Sequence, residues 1–470
     1  MKFNIYNKMV MIVWIALAIG SCDDLVEVDA PGHRMVSESV FDNDQTAIAA
    51  MNGIYYELFN KGFSSGGTYS ITYLSSLSSD EMDLERVSYE HSKEFYENAL
   101  NPDNQGVYWL WTSAYETIYM VNSLLEGLNS SSTITPELGN RLEGEAKFVR
   151  AFSYFYLVNL YGETPLLLTT DYERNALAGR NSIAEVYDQI ILDLEDARSL
   201  LDETYMDGER TQVNHFVATA LLARVHLFLK NWELAERFSS EVINASGTYG
   251  LIDDLDDVFL ANSREAIWQI SPYGLGYAAT QTNEGNIFII DPDDPFAVFF
   301  MSVVVPKAFY DSLLEDDLRR QHWMAYNPNL EFYYPHKYKI GNSTGPIEEY
   351  SMVMRLAEQY FIRAEARTMQ GNIPGGIADL DVIRGRAGLP LFADTDPGID
   401  ADALIGAILK ERRIELHTEW GHRWLDLKRT DRATEVLEPL KDAWEPTDVL
   451  YPIPGDERMK NPNLSQNDGY

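Results

Sequence analysis

The 470-residue sequence predicts a mainly α-helical protein: a tetratricopeptide-like scaffold of about four helix pairs, with one large irregular, loop-rich insertion and a few short strands. Three observations carry this expectation. Apolar residues recur at three- and four-residue spacing through most of residues 41–245 and 346–470. Two of the paired segments, each joined by a short turn, carry alanines where helices of a hairpin would approach closely. Between about residues 247 and 345 this periodicity fails, and Pro, Gly, Asp and Asn multiply.

Each element has its own signal. Thr135-Pro136 supplies an N-cap hydroxyl and a first-turn proline ahead of a helix over Arg141 to Tyr161. Within it Leu142, Ala146, Val149, Phe152, Tyr156 and Leu160 form one apolar stripe. Ser182 and Glu185 have the spacing of a capping box, in which each side chain bonds the other's backbone N–H at a helix start. Val213 to Ala245 reads as a helical hairpin, with Ala223 and Ala235 on either side of a turn at Lys230-Asn231-Trp232. Tyr360 to Arg386 repeats the idea with Ala366 and Ala378. In the insertion, Ala266 to Ile270 resembles a short strand and Pro306 to Leu318 a short helix. A stretch this long without regular structure suits a surface or ligand role, because its backbone polar groups are otherwise hard to satisfy.

The N-terminal residues specify an address. Lys2 and Lys8 precede an apolar run, Met9 to Gly20, too short to span a bilayer comfortably and shaped like a secretory leader. Ile19-Gly20-Ser21-Cys22 resembles a lipobox, in which the cysteine is acylated and becomes the new N-terminus. Residues 1–21 are therefore expected to be a lipoprotein signal peptide, residues 22–40 a lipidated stem, and residues 41–470 a single body. Acyl chains contribute about 0.8 kcal/mol per buried methylene, enough for several to tether a body at a membrane. Cys22 is the only cysteine, so stability must come from a large core instead of disulfides. The 37 basic residues face 73 acidic ones, a net charge of −36; without Lys2 and Lys8 the balance becomes 35 against 73, or −38. Nucleic acid and other polyanions are disfavoured as ligands.

No CxxC, phosphate-cradling glycine loop or HExxH is present, and His417 and His422 lie five apart. Carboxylate pairs are uninformative among so many acidic residues. The acidic turns Asp253–Asp257 and Asp291–Pro295 lack EF-hand spacing and read as solvated. No catalytic residue, metal ligand or cofactor is assigned. Sugar binding needs planar aromatic faces with a few polar groups for hydroxyls. The insertion supplies Tyr273, Tyr277, Phe288, Trp323, Tyr326, Phe332, Tyr333 and Tyr334, with Gln281, Asn283, Asn286 and Asp291 as polar partners. Ser75 to Asn104 adds Asp80, Arg86, Tyr89 and Tyr96.

Several segments resemble one family. They are Glu411-Arg412-Arg413-Ile414-Glu415-Leu416 with Glu419-Trp420-Gly421-His422-Arg423-Trp424-Leu425-Asp426-Leu427-Lys428-Arg429, the closing Tyr451-Pro452-Ile453-Pro454, and Asn461-Pro462-Asn463-Leu464-Ser465-Gln466-Asn467. Glu145 to Phe152 with Tyr161-Gly162 and Pro165, Leu356 to Ala366, and Ile383 to Leu389 agree. Together they resemble the SusD/RagB family of nutrient-capturing outer-membrane lipoproteins. The resemblance implies a glycan ligand, a TonB-dependent (SusC-like) outer-membrane transporter as partner, and a lipid-anchored, surface-exposed location, with Asp23 and Asp24 as a surface-export signal. It also implies a binding surface built jointly by the Ser75–Asn104 excursion and the central loops, which singles out Asp80, Arg86, Tyr89, Tyr273, Tyr277 and Trp323. Arg412, Arg413, Glu415, Arg423 and Asp426 lie at helical spacings suited to structural ion pairs. Two other readings remain at this stage: a structural lid subunit with little ligand binding of its own, and a glycoside hydrolase.

Overall fold

The computed structural model describes residues 41–85, 90–272, 279–293 and 303–470; Cys22, with the leader and stem, lies outside them. Helices of eight residues or more are α1 (Asp44–Asn60), α2 (Ile71–Ser78), α3 (Glu90–Glu97), α4 (Gln105–Ser130), α5 (Pro136–Tyr161), α6 (Ile183–Leu200), α7 (His215–Phe228), α8 (Trp232–Asn244), α9 (Leu356–Met369), α10 (Ile373–Arg386), α11 (Ala401–Glu415) and α12 (His422–Arg429). From α4 to α8 each helix packs on the next, and α8 then packs on α9, which pairs with α10 and α11. Residues 245–355 thus leave and re-enter one continuous array of antiparallel helix pairs, the mainly α, tetratricopeptide-like architecture that the periodicity predicts. Among the described residues, no helix is long and apolar enough to cross a membrane.

Helix α5 is the spine. The stripe from Leu142 to Leu160 is buried, and so is most of the helix's remaining circumference. Phe148 and Phe152 each meet Trp268 edge-on at 5.1 Å, and Phe152 meets Trp420 at 5.3 Å. The capping box at Ser182 and Glu185 starts α6. Among the described residues, six short strands form three antiparallel pairs: β1 (Asp83–Leu84) with β3 (Val303–Val304), β2 (Ala266–Ile270) with β6 (Ser351–Arg355), and β4 (Met324–Asn327) with β5 (Phe332–Pro335). A bridge between Val305 and Tyr333 joins β3 to the β4–β5 hairpin.

Buried charge ties these pieces together. Arg355, at the end of β6, contacts Glu265 at 2.8 Å, Glu415 at 2.6 Å and Glu419 at 2.8 Å. Arg319 contacts Asp317, Glu411 and Glu415 at 2.8, 2.7 and 3.2 Å, and Lys337 pairs with Glu419. Arg224 on α7 reaches Glu358 on α9 at 2.6 Å, and Asp426 on α12 is shared by Arg412 and Arg429. Residues 441–467 close over the N-terminal helices. The Lys441 ammonium donates to the Leu77 and Ser78 carbonyls at 2.5 and 3.0 Å, Ser78 Oγ hydrogen-bonds the Tyr451 hydroxyl, and Asn467 Nδ2 donates to the Tyr161 carbonyl.

Four local expectations change. The Thr135 hydroxyl donates to Asp44 at 3.0 Å instead of capping α5, because α1 brings a carboxylate within reach. In the second hairpin the close approach falls at Gly376, where an added Cβ would lie 2.3 Å from Thr368 Oγ1, whereas Ala378 is exposed. The segment from Pro306 to Leu318 is broken into a turn at Lys307–Ser312 and another at Leu318–His322. The signature charges pair across elements, Arg412 with Asp426 and Arg413 with Asp80, rather than along one helix.

Arg355→Ala would leave the carboxylates of Glu265, Glu415 and Glu419 short of a buried partner. Removing one side of such a cluster costs about 3–5 kcal/mol. The variant is expected to unfold at clearly lower temperature, with Arg355→Lys recovering only part because an ammonium cannot make the forked contacts; equal melting midpoints in circular dichroism would refute this role.

Candidate functional site

The described residues build an aromatic face where α1, the following turn and the first turns of α3 and α4 meet. The chain after α1 turns sharply through Gly66, whose φ of +76° favours glycine and whose added Cβ would sit 2.3 Å from the Glu284 carboxyl carbon. This places Tyr69 beside α3, where its ring stacks on His91 with centroids 4.5 Å apart and planes 23° apart. Asn104 caps α4 by accepting from the backbone of Gly106 and Val107, which fixes that helix's first turn. Trp109 then lies 6.4 Å from Tyr69 and remains 38% exposed, while Tyr108 packs edge-on against it. The Tyr69 hydroxyl donates to Gln105 Oε1 at 3.3 Å.

Beside α1 a cavity of about 350 Å³ opens, lined by Asn52, Tyr55, Tyr56, Thr211, Gln212, Ile270 and Ser271. The Tyr55 hydroxyl donates to Glu145 at 2.7 Å and accepts from the Val213 backbone. Burial pushes the Glu145 carboxyl up to about 7 against the pull of that hydroxyl and of Arg141. Gln212 Oε1 and Ser271 Oγ are buried with no hydrogen-bond partner among the described residues, and Tyr56 is 39% exposed. The site therefore combines ring faces with amide and hydroxyl groups.

Four of the sequence-predicted residues, Arg86, Tyr89, Tyr273 and Tyr277, lie outside the described residues, but the flanks of their segments are placed. Residue 85 follows β1, and Glu90 and His91 open α3 at the aromatic stack. Ser271 lines the cavity. Beyond the second segment, Asn283 Nδ2 donates to the Phe59 and Ser65 carbonyls at 3.3 and 2.7 Å, docking the chain on the turn after α1.

Asp80 and Trp323 have structural surroundings. The Asp80 carboxylate accepts from Arg423 at 2.7 and 3.0 Å and pairs with Arg413 at 2.8 Å. Burial alone would raise its pKa, but the two arginines hold it below the usual range. Asp80 also lines a cleft of about 510 Å³ with Asp83, Tyr96, Phe309 and Lys441. Trp323 corrects the expectation of an exposed stacking ring: it is 0% exposed, its Nε1 donates to the Leu255 carbonyl at 2.9 Å, and Lys337 and Arg355 lie over its face. Its ring floors the buried charge cluster. Tyr69 and Trp109 escaped sequence reasoning, although Trp109 carries a signal. It falls off the α4 stripe of Val107, Leu110, Trp111, Ala114 and Ile118, as an outward-facing tryptophan should.

Carboxylates near the face are occupied or buried. Glu94 accepts from the Asn101 backbone and from Asn104 Nδ2, both at 2.9 Å, and the Glu284 Oε1 atom accepts from Ser351 at 2.5 Å. His417 and His422 are buried, and burial depresses both imidazoles, to about 3 and about 4. Asp254, Asp256 and His322 come within metal-ligating distance of one another, but Asp256 already holds Lys339 at 2.8 Å.

The site can now be set beside known proteins. A family model described as starch-binding and associating with the outer membrane matches residues 35–227, and the SusD family model matches residues 325–470. The chain belongs to the SusD/RagB family. A SusD-like protein of Formosa agariphila is 27% identical over 519 aligned residues, covering 98% of this chain and 99% of that protein. Among solved structures, a SusD superfamily protein of Bacteroides vulgatus superposes with a TM-score of 0.79 at 19% identity, over 91% of this chain and 99% of the other. A laminarin-binding SusD-like protein gives 0.75 at 25% identity, over 91% and 100%.

Glu284 joins the turn to the insertion and gives this SusD-type site a pH response. Burial lifts its carboxyl to about 7, the Ser351 hydroxyl opposing. The folded protein thus holds this proton more tightly than the unfolded chain does, so the stabilisation is full below about pH 4.5 and is lost as pH rises through about 7. Glu284→Gln mimics the protonated form. It is expected to flatten that part of the stability profile and to gain on the order of 2 kcal/mol over wild type at pH 8; parallel profiles in urea titrations from pH 4 to 8 would overturn the assignment.

Proposed function

We propose that this protein is a cell-surface, lipid-anchored glycan-binding protein that captures oligosaccharide or polysaccharide and delivers it to a TonB-dependent outer-membrane transporter, without catalysing a reaction on it. The observation that carries the reading is the Tyr69–Trp109 face: rings offered to solvent beside amide and hydroxyl groups, at the roots of the two segments that hold Arg86, Tyr89, Tyr273 and Tyr277. An aromatic face matches the apolar side of a sugar ring, and neighbouring amides match its hydroxyls. The laminarin-binding relative and the family's starch-binding description support a sugar ligand. The net charge of −36 supports a neutral one. A non-catalytic role is supported by the engagement of Glu94, Glu145 and Glu284, since glycoside hydrolysis needs two carboxyl groups facing each other across an open cleft.

Anchoring through Cys22 and partnership with a transporter complete the reading. Delivery then requires a body held at the membrane but free to move over a barrel.

Wild-type protein is expected to be retarded on native gels containing a neutral polysaccharide such as laminarin, starch or inulin, and to release no reducing sugar from it. Trp109→Ala, at an exposed position, should weaken calorimetric affinity for the retained glycan by about tenfold, or roughly 1.4 kcal/mol, with an unchanged melting temperature. Cys22→Ala should move the protein from the membrane to the soluble fraction. Full affinity in Trp109→Ala refutes the face, retention of Cys22→Ala in membranes refutes the anchor, and sugar release refutes the non-catalytic role.

A further inference from the structure

Apart from the Tyr69–Trp109 face, a second group of rings reaches the surface, with Tyr310 and Tyr333 packed against the main core and Tyr326 outside them. Tyr326 on β4 and Tyr333 on β5 are direct cross-strand partners, with centroids 4.9 Å apart. Tyr333 stacks in turn on Tyr310, at 3.6 Å and 18°, and the Arg320 guanidinium lies 4.4 Å from the Tyr310 ring centre. The four side chains form a column, Arg320–Tyr310–Tyr333–Tyr326, drawn from two helical turns and a hairpin. Its outer member, Tyr326, is 46% exposed. An isolated exposed tyrosine would lose rotamer freedom on gripping a ligand; one propped by a stacked neighbour has already lost it. Lys307 is paired with Asp311 at 2.5 Å and Arg320 rests on a ring, so the column presents ring and hydroxyl rather than a bare charge.

Its place in the fold matters as much as its chemistry. Asp83 on β1 pairs with Val304 on β3, the next residue Val305 bridges to Tyr333, and Tyr333 pairs with Tyr326. A narrow ribbon of strands therefore runs from the root of the 86–89 segment to the column. Three strand spacings make that about 15 Å.

We propose that Tyr326, held by Tyr333 and Tyr310, is a second sugar-stacking subsite that engages a neutral hexose polymer already held at the Tyr69–Trp109 face, so that the protein prefers long chains to short ones. This rests on the glycan-binding reading but makes a separate claim about chain length. A ring face with phenolic hydroxyls at its rim accepts the apolar side of a neutral sugar ring without demanding a charge on it. Two linked contacts raise apparent affinity only for a ligand long enough to reach both.

The test uses full-length mature protein and whichever of laminarin, starch or inulin retards wild type on native gels, followed by calorimetry with the matching oligosaccharides from dimer upward. Tyr326→Ala is expected to weaken polymer binding roughly two- to tenfold, to leave the shortest bound oligosaccharide unaffected, and to keep the melting temperature; Tyr326→Phe, which retains the ring, should stay within twofold of wild type. Unchanged polymer affinity in Tyr326→Ala, with Trp109→Ala still impaired, overturns the subsite and leaves the glycan-binding reading standing. The same unchanged affinity with reduced co-purification of the transporter overturns it in favour of a protein contact. An equal loss for oligosaccharides of every length overturns it as a second contact, and the absence of binding to all three polysaccharides by wild type overturns both readings.

Discussion

Arg355 is the residue on which most of this structure converges. It ends β6, immediately before α9 begins, and its guanidinium gathers carboxylates from β2's approach, from α11 and from the turn before α12. Three regions far apart in sequence, at residues 265, 355 and 415–419, are thereby fixed at one point. Bringing such charges out of water is costly unless nearly every donor and acceptor finds a partner. Here the carboxylates are well supplied: Glu415 is shared by Arg355, Arg319 and Arg386, and these guanidinium groups hold its carboxyl far below the usual range although burial alone would raise it. Trp323 closes the cluster from below. A geometry this specific favours one arrangement of helices and strands over sliding alternatives, which apolar contacts by themselves tolerate more readily.

The rigid cluster explains how an irregular insertion can carry a site at all. Residues 245–355 include few long elements, yet their two ends are locked by β2 and β6, and Glu265 on one side meets Arg355 on the other. From that fixed base the chain reaches out to dock Asn283 and Glu284 on the turn after α1. The aromatic face, on the turn after α1 and the first turns of α3 and α4, is thus met by an insertion whose feet are tied to a core. Family membership and this mounting agree: the helices supply a frame, and ligand choice is left to what projects from it.

Much of this frame was legible in the sequence because helices announce themselves locally. The stripe from Leu142 to Leu160, the box at Ser182 and Glu185, and the Ala223–Ala235 hairpin depend on neighbours within a few residues. What the sequence hid depends on distant partners. Trp323 sits in an irregular stretch with prolines and acids, where an aromatic reads as a ligand contact; only the arrival of Lys337, Arg355 and Phe259 makes it core. Asp80 likewise looks like a free carboxylate until α11 and α12 bring Arg413 and Arg423 to it. Gly376, rather than Ala378, marks the close helix crossing because register within the hairpin decides which small residue faces inward. Tyr69 was hidden for the same reason, since its value as a surface ring depends on His91 and Trp109.

The closure by residues 441–467 bears on the order in which the chain can mature. Lys441 satisfies carbonyls at the end of α2 from 364 residues away, and Tyr451 completes the environment of Ser78 from 373. Until those late segments have been synthesised, the end of the second helix has carbonyls with no protein donor, and the first quarter of the polypeptide lacks its lid of packed rings. The N-terminal helices of an emerging chain therefore gain their last partners only once it is nearly whole.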